Sequence, residues 1–168
     1  MQPLVSIIMG STSDLQIMEA AAKFLNDIQI PFEINALSAH RTPEKVAEFA
    51  KSASGRGIRV IIAAAGMAAH LPGVIASMTT LPVIGVPIKA SLEGLDSMLA
   101  ILQMPPGIPV ATVGINSSLN AAILAAEILA LADAGIREKL SKQKADLKQK
   151  IIKANEELAL IKYDYKVG

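Results

Sequence analysis

Residues 59–65 read RVIIAAA, six unbroken apolar residues led by valine and isoleucine behind one arginine. A short, continuous, β-branched run of this kind suits a strand covered on both faces, which is the situation of a strand inside a parallel sheet. The same signature recurs on either side of it, at VSIIMG (5–10), FEINAL (32–37), PVIGVP (82–87) and PVATVG (109–114). Between these runs lie helical patterns near residues 14–27, 43–54, 70–78, 95–103 and 119–132. In the first of them Ile17, Ala20, Ala21, Phe24 and Leu25 share one face, as a sheet-packed helix requires. Strands alternating with helices imply right-handed crossovers and a parallel sheet. The expected fold is therefore α/β: a three-layer α/β/α sandwich on five parallel strands.

Composition agrees with this and excludes other classes. The chain has 168 residues, enough for one domain with a substantial core. Hydrophobic residues make up 52% but aromatic ones only 3%, so the core must be built from Ala, Ile, Leu, Val and Met. With no cysteine there is no disulfide or thiolate site, and two histidines leave too few donors for a zinc centre, so no metal is expected. A net charge of +1 gives no reason to expect nucleic acid or an anionic membrane as partner. The N-terminal MQPLVSIIMG carries no charged leader, and every apolar run is broken well short of a spanning length. The expectation is a cytoplasmic protein.

From about 136 to 161 the pattern changes. Ile136, Leu140, Leu147, Ile151, Leu158 and Ile161 form a narrow stripe on an otherwise charged helix, and the chain's basic excess lies here. At 1.5 Å per residue such a helix is roughly 39 Å long and would overhang so small a body. The expected division is a single domain over 1–168, with an α/β core at 1–133 and a C-terminal helix at 134–168 that packs on a neighbouring subunit.

In an open parallel sheet, ligands bind beyond the carboxyl ends of the strands, where the strand order reverses. The first run is followed by Gly10-Ser11-Thr12-Ser13-Asp14, the second by Ser38-Ala39-His40-Arg41, the third by Gly66-Met67-Ala68-Ala69-His70 and the fourth ends at Pro87. Both histidines and several hydroxyls thus fall on one rim. GSTSD opens a helix, whose free N–H groups favour an anion, although Ser13 or Asp14 can equally serve as a plain N-cap. Arg41 adds a guanidinium fork suited to phosphate, and Asp14 a carboxylate suited to ribose hydroxyls. Thr42-Pro43-Glu44 reads as hydroxyl N-cap, first-position proline and first-turn acid. His40 is either a hydrogen-bonded loop residue or a group that moves protons near neutral pH. His70, at a helix start, is either structural or part of the site. No nucleophile elbow, dinucleotide fingerprint or Walker motif is present, so the ligand expected is a mononucleotide or sugar phosphate.

Together GSTSD, SAHRTP (38–43), AAHLPG (68–73), GLDSMLAILQMPPGIPVATV (94–113) and NAAILAAEIL (120–129) resemble, in order and spacing, the 5-(carboxyamino)imidazole ribonucleotide mutases of purine biosynthesis. The resemblance runs to about residue 133. It implies a flavodoxin-like sandwich, a homo-octamer, no cofactor, and transfer of a carboxylate from the exocyclic nitrogen of an aminoimidazole ribonucleotide to ring carbon 4. Carried over by position, Ser11, Ser13 and Arg41 resemble phosphate-side contacts and Asp14 the ribose contact. Ser38 and His40 lie at the reacting end, with His40 matching the general acid/base. Ala68, Ala69, His70 and Leu71 resemble the loop that closes over the carbon dioxide, and Ala39 and Gly66 are carried over as further substrate contacts. A sister branch of carboxylases, which uses free carbon dioxide, tends to have lysine after the histidine and to lack the second histidine; Arg41 and His70 favour the mutases. Two departures stand out. Ala64 and Met67 occupy positions where the family usually shows glycine, and methionine takes positive φ far less readily. Residues 88–92 run one residue short, so no contact is carried over from them. A competing reading, a non-catalytic nucleotide-binding module, accounts for GSTSD and Arg41 but leaves His40 idle.

Overall fold

The computed structural model describes residues 2–167. Five strands, β1 (Val5–Met9), β2 (Phe32–Ala36), β3 (Val60–Gly66), β4 (Val83–Ile88) and β5 (Ala111–Thr112), form one parallel sheet in the order β2-β1-β3-β4-β5. Six helices connect and flank them: α1 (Leu15–Asp27), α2 (Pro43–Ser52), α3 (Leu71–Ala76), α4 (Leu95–Leu102), α5 (Ser118–Ala130) and α6 (Ala134–Leu160). The expected five-stranded three-layer sandwich is the fold observed. Among the described residues no helix is long and apolar enough to cross a membrane.

The continuous apolar runs are explained by two cores, one on each face. Along β3, Val60, Ile62 and Ala64 pack beneath α1 and α5, while Ile61, Ala63 and Ala65 pack beneath α2 and α3. The two-residue period of a strand sends alternate side chains to opposite faces, so a strand covered twice must be apolar throughout. Ala64, one of the two departures from the glycine pattern, is simply a fully buried core residue. On the other flank of β1, the edge strand β2 is only partly buried and carries Glu33 and Asn35. Ser6, fully buried on β1, donates its hydroxyl to Glu33, and Arg56 grips the same carboxylate at 2.7 and 3.0 Å. Burial alone would raise the Glu33 pKa, but the bonds from Arg56 and Ser6, the Arg56 charge and the Asn35 amide outweigh it and hold the group below its usual value.

Three local expectations are corrected. The run 109–114 yields a strand of only two residues. It pairs with β4 alone, Pro109 has no N–H to give the ladder, and the chain soon turns away at Asn116, in the left-handed region at φ 57°. Asn116 instead ties off β4: its N–H donates to the Pro87 carbonyl and its side-chain oxygen accepts from the Lys89 N–H. Thr42 occupies the N-cap position of α2, but its hydroxyl makes no cap bond. It accepts from the Ser38 N–H at 3.0 Å and donates to the Ser38 carbonyl at 3.1 Å, closing the loop before the helix. Finally, GSTSD does not enter α1 directly. Thr12–Asp14 form a 3-10 turn capped by Ser11, whose Oγ accepts from the Ser13 N–H, and α1 begins only at Leu15.

Helix α6 starts at a capped end, with the Asp133 carboxylate accepting from the Ile136 N–H. Ile136 and Leu140 are buried in the core under α1 and α5. From the same expected stripe, Leu147, Ile151, Leu158 and Ile161 stand exposed on this chain.

Candidate functional site

Strand order 2-1-3-4-5 reverses direction between β1 and β3, and there a crevice opens at the carboxyl end of the sheet. Three consecutive strands in space, β2, β1 and β3, deliver their following loops to it. The resulting cavity has a volume of about 520 Å³ and is lined by residues of all three loops and by Ala90 beyond β4.

The first wall is the turn after β1. Its role follows from what its side chains leave free: Ser11 caps the 3-10 turn, Ser13 donates to Asp14 at 3.2 Å, and Asp14 makes no bond to the N–H groups of α1. The open N-terminal turn and the carboxylate thus both remain available to a ligand. Burial raises the Asp14 carboxyl above its ordinary pKa, an effect that the Ser13 hydrogen bond only partly offsets. A carboxylate with a raised pKa contributes stability below its unfolded value, and that contribution is lost as pH rises through the folded value. Near neutral pH its ionised form is therefore a net cost to the fold. Asp14→Asn is expected to leave the thermal midpoint unchanged or higher near neutral pH, with the gain vanishing near about pH 3, and to weaken ribonucleotide binding about tenfold. Thermal melts across pH and a binding titration check both; a lower midpoint at neutral pH would contradict the assignment.

The second wall is the loop 38–42. Ser38 is its organiser, accepting from the Arg41 N–H at 3.2 Å and the Arg41 Nε at 3.4 Å while exchanging two bonds with Thr42. Arg41 also donates from Nη2 to the Gly10 carbonyl at 2.9 Å, which joins this loop to the first. A guanidinium carries five donors, so these two bonds fix its position while leaving others for an anion.

The third wall is the segment Gly66–His70. Its backbone is set from both ends. A Cβ on Gly66 would come within 3.3 Å of the Ala90 Cβ and the Ile88 carbonyl, and Leu71 is buried at the start of α3. Between them Met67 adopts φ 56°, and a short hydrogen bond links the His70 N–H to the Ala68 carbonyl. The left-handed conformation expected of glycine is thus kept, with methionine in it.

Loops two and three meet at the histidines. His40 Nε2 lies 2.7 Å from His70 Nδ1, with the rings edge to face at 84°. One ring must donate and the other accept, so each fixes the other's tautomer. The exposed side of the pair faces the cavity, within the space shared with Arg41 and Asp14. A proton-moving group and a seat for a phosphorylated sugar therefore lie in one crevice.

Of the residues singled out in the sequence, Ser11, Ser13, Asp14, Ser38, Ala39, His40, Arg41, Gly66, Ala68, His70 and Leu71 line this cavity. Ala69 does not: its methyl is buried in the core on the α2 and α3 face. Gly10, Ala65, Met67 and Ala90 also line it and were not among the candidates. Ala90 lies in the segment 88–92 after Pro87, whose one-residue shortening is why the resemblance carries no contact over from it.

The family model described as AIR carboxylase matches residues 4–150. An N5-carboxyaminoimidazole ribonucleotide mutase of Pyrococcus abyssi is 60% identical over 88% of this chain and 85% of its own length. The mutase of the same description from Thermotoga maritima is 53% identical over 96% and 95%. Among solved structures, the crystal structure of Treponema denticola PurE superposes with a TM-score of 0.85 at 34% identity, covering 93% of this chain and 98% of that one.

Proposed function

Because the chain belongs to the AIR carboxylase family, we propose that it is an N5-carboxyaminoimidazole ribonucleotide mutase of purine biosynthesis in which His40 moves the protons. The observation that carries the mechanistic part is the histidine pair in the crevice, His40 Nε2 against His70 Nδ1, beside the phosphate-competent Arg41.

The chemistry divides into two proton transfers. In the first, protonated His40 gives its proton to the exocyclic nitrogen of the substrate; the carbon–nitrogen bond breaks, its electrons stay on nitrogen, and carbon dioxide is released beside the aminoimidazole. In the second, ring carbon 4 attacks the carbon dioxide to form a carbon–carbon bond, and neutral His40 removes the proton from carbon 4. Atoms and charge balance, and His40 ends as it began. His70 holds the His40 ring through the bond between them, so that one nitrogen serves two substrate atoms in turn. Arg41, Ser11 and Ser13 seat the phosphate, and Asp14 takes the ribose hydroxyls. Carbon dioxide must stay in place between the two steps, which requires a covered site.

The assembly proposed is a cytoplasmic homo-octamer of single-domain subunits. It is supported by apolar side chains that one chain leaves uncovered: Leu95, Leu99 and Leu102 on α4, and Leu147, Ile151 and Leu158 on α6. Helix α6 then reaches onto a neighbouring subunit.

The test is conversion of the N-carboxylated substrate by purified protein in isotopically labelled bicarbonate. Carboxylated product with little label is the expected result. Heavy labelling, or turnover only when bicarbonate is added, would move the chain to the carboxylase branch. Folded protein that gives no product would leave a nucleotide-binding module.

A further inference from the structure

The fold gives position 67 no reason to hold a large side chain. Gly66 before it is pressed against Ala90 and the Ile88 carbonyl, while Ala69 and Leu71 after it are anchored in the core. With both flanks fixed, residue 67 must take the left-handed conformation, and it does so at φ 56°. For an L-residue with a Cβ that conformation is strained, and glycine escapes the strain. No burial within its own subunit offsets this, since Met67 is 61% exposed on the single chain. It does line the cavity, on the same loop as His70 and in the lining it shares with Ala39 and His40. A bulky residue kept in a strained conformation, exposed, and at the wall of a candidate active site is a residue placed for the site rather than for the fold.

What it offers there is apolar, polarisable and flexible bulk. The other apolar side chains of the lining are Ala39, Ala65, Ala68 and Ala90, all small, and Leu71, which is buried at the start of α3. Small walls leave room for the imidazole but do not by themselves close the mouth. The intermediate that has to be held, carbon dioxide, has no charge and no dipole, so hydrogen-bond donors cannot retain it. An apolar stopper that excludes water can. Resting on the mutase reading, we propose that Met67 is the stopper of the reacting end, a positioning residue that covers the mouth of the cavity. It thereby sets how the released carbon dioxide divides between capture at carbon 4 and escape to solvent.

The experiment is isotope partitioning by wild type, Met67→Gly and Met67→Leu, each started from unlabelled N-carboxylated substrate in labelled bicarbonate, with thermal midpoints recorded alongside. Met67→Gly is expected to melt at the same temperature or higher, because the strain is gone, and yet to incorporate label at least about threefold more than wild type. Met67→Leu, which keeps apolar bulk, is expected to stay near the wild-type label fraction. The label fraction reports the ratio of carbon dioxide escape to its capture at carbon 4, so a variant slowed only in substrate binding or product release does not imitate the result, and single-turnover recarboxylation rates recorded alongside separate faster escape from slower capture. A folded Met67→Gly protein with the wild-type label fraction would overturn the proposal, as would Met67→Leu leaking as much as glycine. Wild-type protein that makes no product would instead sink the mutase reading, and this inference with it.

Discussion

Replacing His40 with asparagine is expected to lower turnover about 10²- to 10⁴-fold, the range that loss of a positioned general acid/base produces, while ribonucleotide binding changes by no more than a few-fold. The two readouts separate because of how the second loop is built. Its shape is held by Ser38, Arg41 and Thr42, whose hydrogen bonds do not involve the His40 side chain. Asparagine keeps a polar group beside His70 but does not titrate, so it can neither protonate the exocyclic nitrogen nor deprotonate carbon 4. Single-turnover kinetics with the N-carboxylated substrate, set against calorimetric titration with the unreactive aminoimidazole ribonucleotide, measure the two effects. Equal losses in both would mean that His40 is a binding residue and that the protons are moved elsewhere.

Arg41→Ala is expected to weaken binding of the phosphorylated ligand by about 10²- to 10³-fold, since charge-assisted bonds to an anion each contribute about 1.5–3 kcal/mol. Part of that loss is indirect. The same guanidinium donates to the Gly10 carbonyl and so holds the first loop, with Ser11, Ser13 and Asp14, against the second. Lysine keeps the charge but has no fork with which to hold Gly10 and an anion together, so Arg41→Lys should recover only a small share. The discriminating measurement uses two ligands, the ribonucleotide and its dephosphorylated ribonucleoside. If Arg41 holds phosphate, the substitution matters much more for the first than for the second. Equal losses on both would reduce Arg41 to a strut between loops.

Much of the fold is legible in the sequence because it rests on period and burial. Runs such as RVIIAAA are apolar at every position only if both faces are covered, and β3 supplies that case, with alternate residues in two separate cores. The rim was legible for the same reason: once the strands are placed, their carboxyl ends are placed, and both histidines lie beyond them. What failed were details that depend on partners distant in sequence. The two-residue length of β5 follows from its place at the edge and from the Asn116 bonds to the end of β4, neither of which PVATVG encodes by itself. Thr42 looks like a cap in any local reading, and only the closed loop reveals Ser38 as its partner. The methyl of Ala69 is buried in the core on the α2 and α3 face, a placement that depends on packing across the fold and not on its neighbours in the β3–α3 loop. At position 67 the sequence shows a residue that takes positive φ unwillingly, and the structure holds methionine in that conformation at φ 56°.

The hydroxyl of Ser118, at the start of α5, donates to the carbonyl of Ile17 in the first turn of α1, across 101 positions of sequence. Helix α1 rises directly from the turn that carries Ser11, Ser13 and Asp14, and α5 packs beside it in the same layer. During synthesis on a ribosome, therefore, the three loops of the crevice emerge by residue 71, but the first of them has no lasting support until α5 has followed. Contacts of such long range form late and slowly. A nascent chain holds every candidate site residue long before it holds the site, and truncation anywhere ahead of α5 should leave those residues present but unassembled.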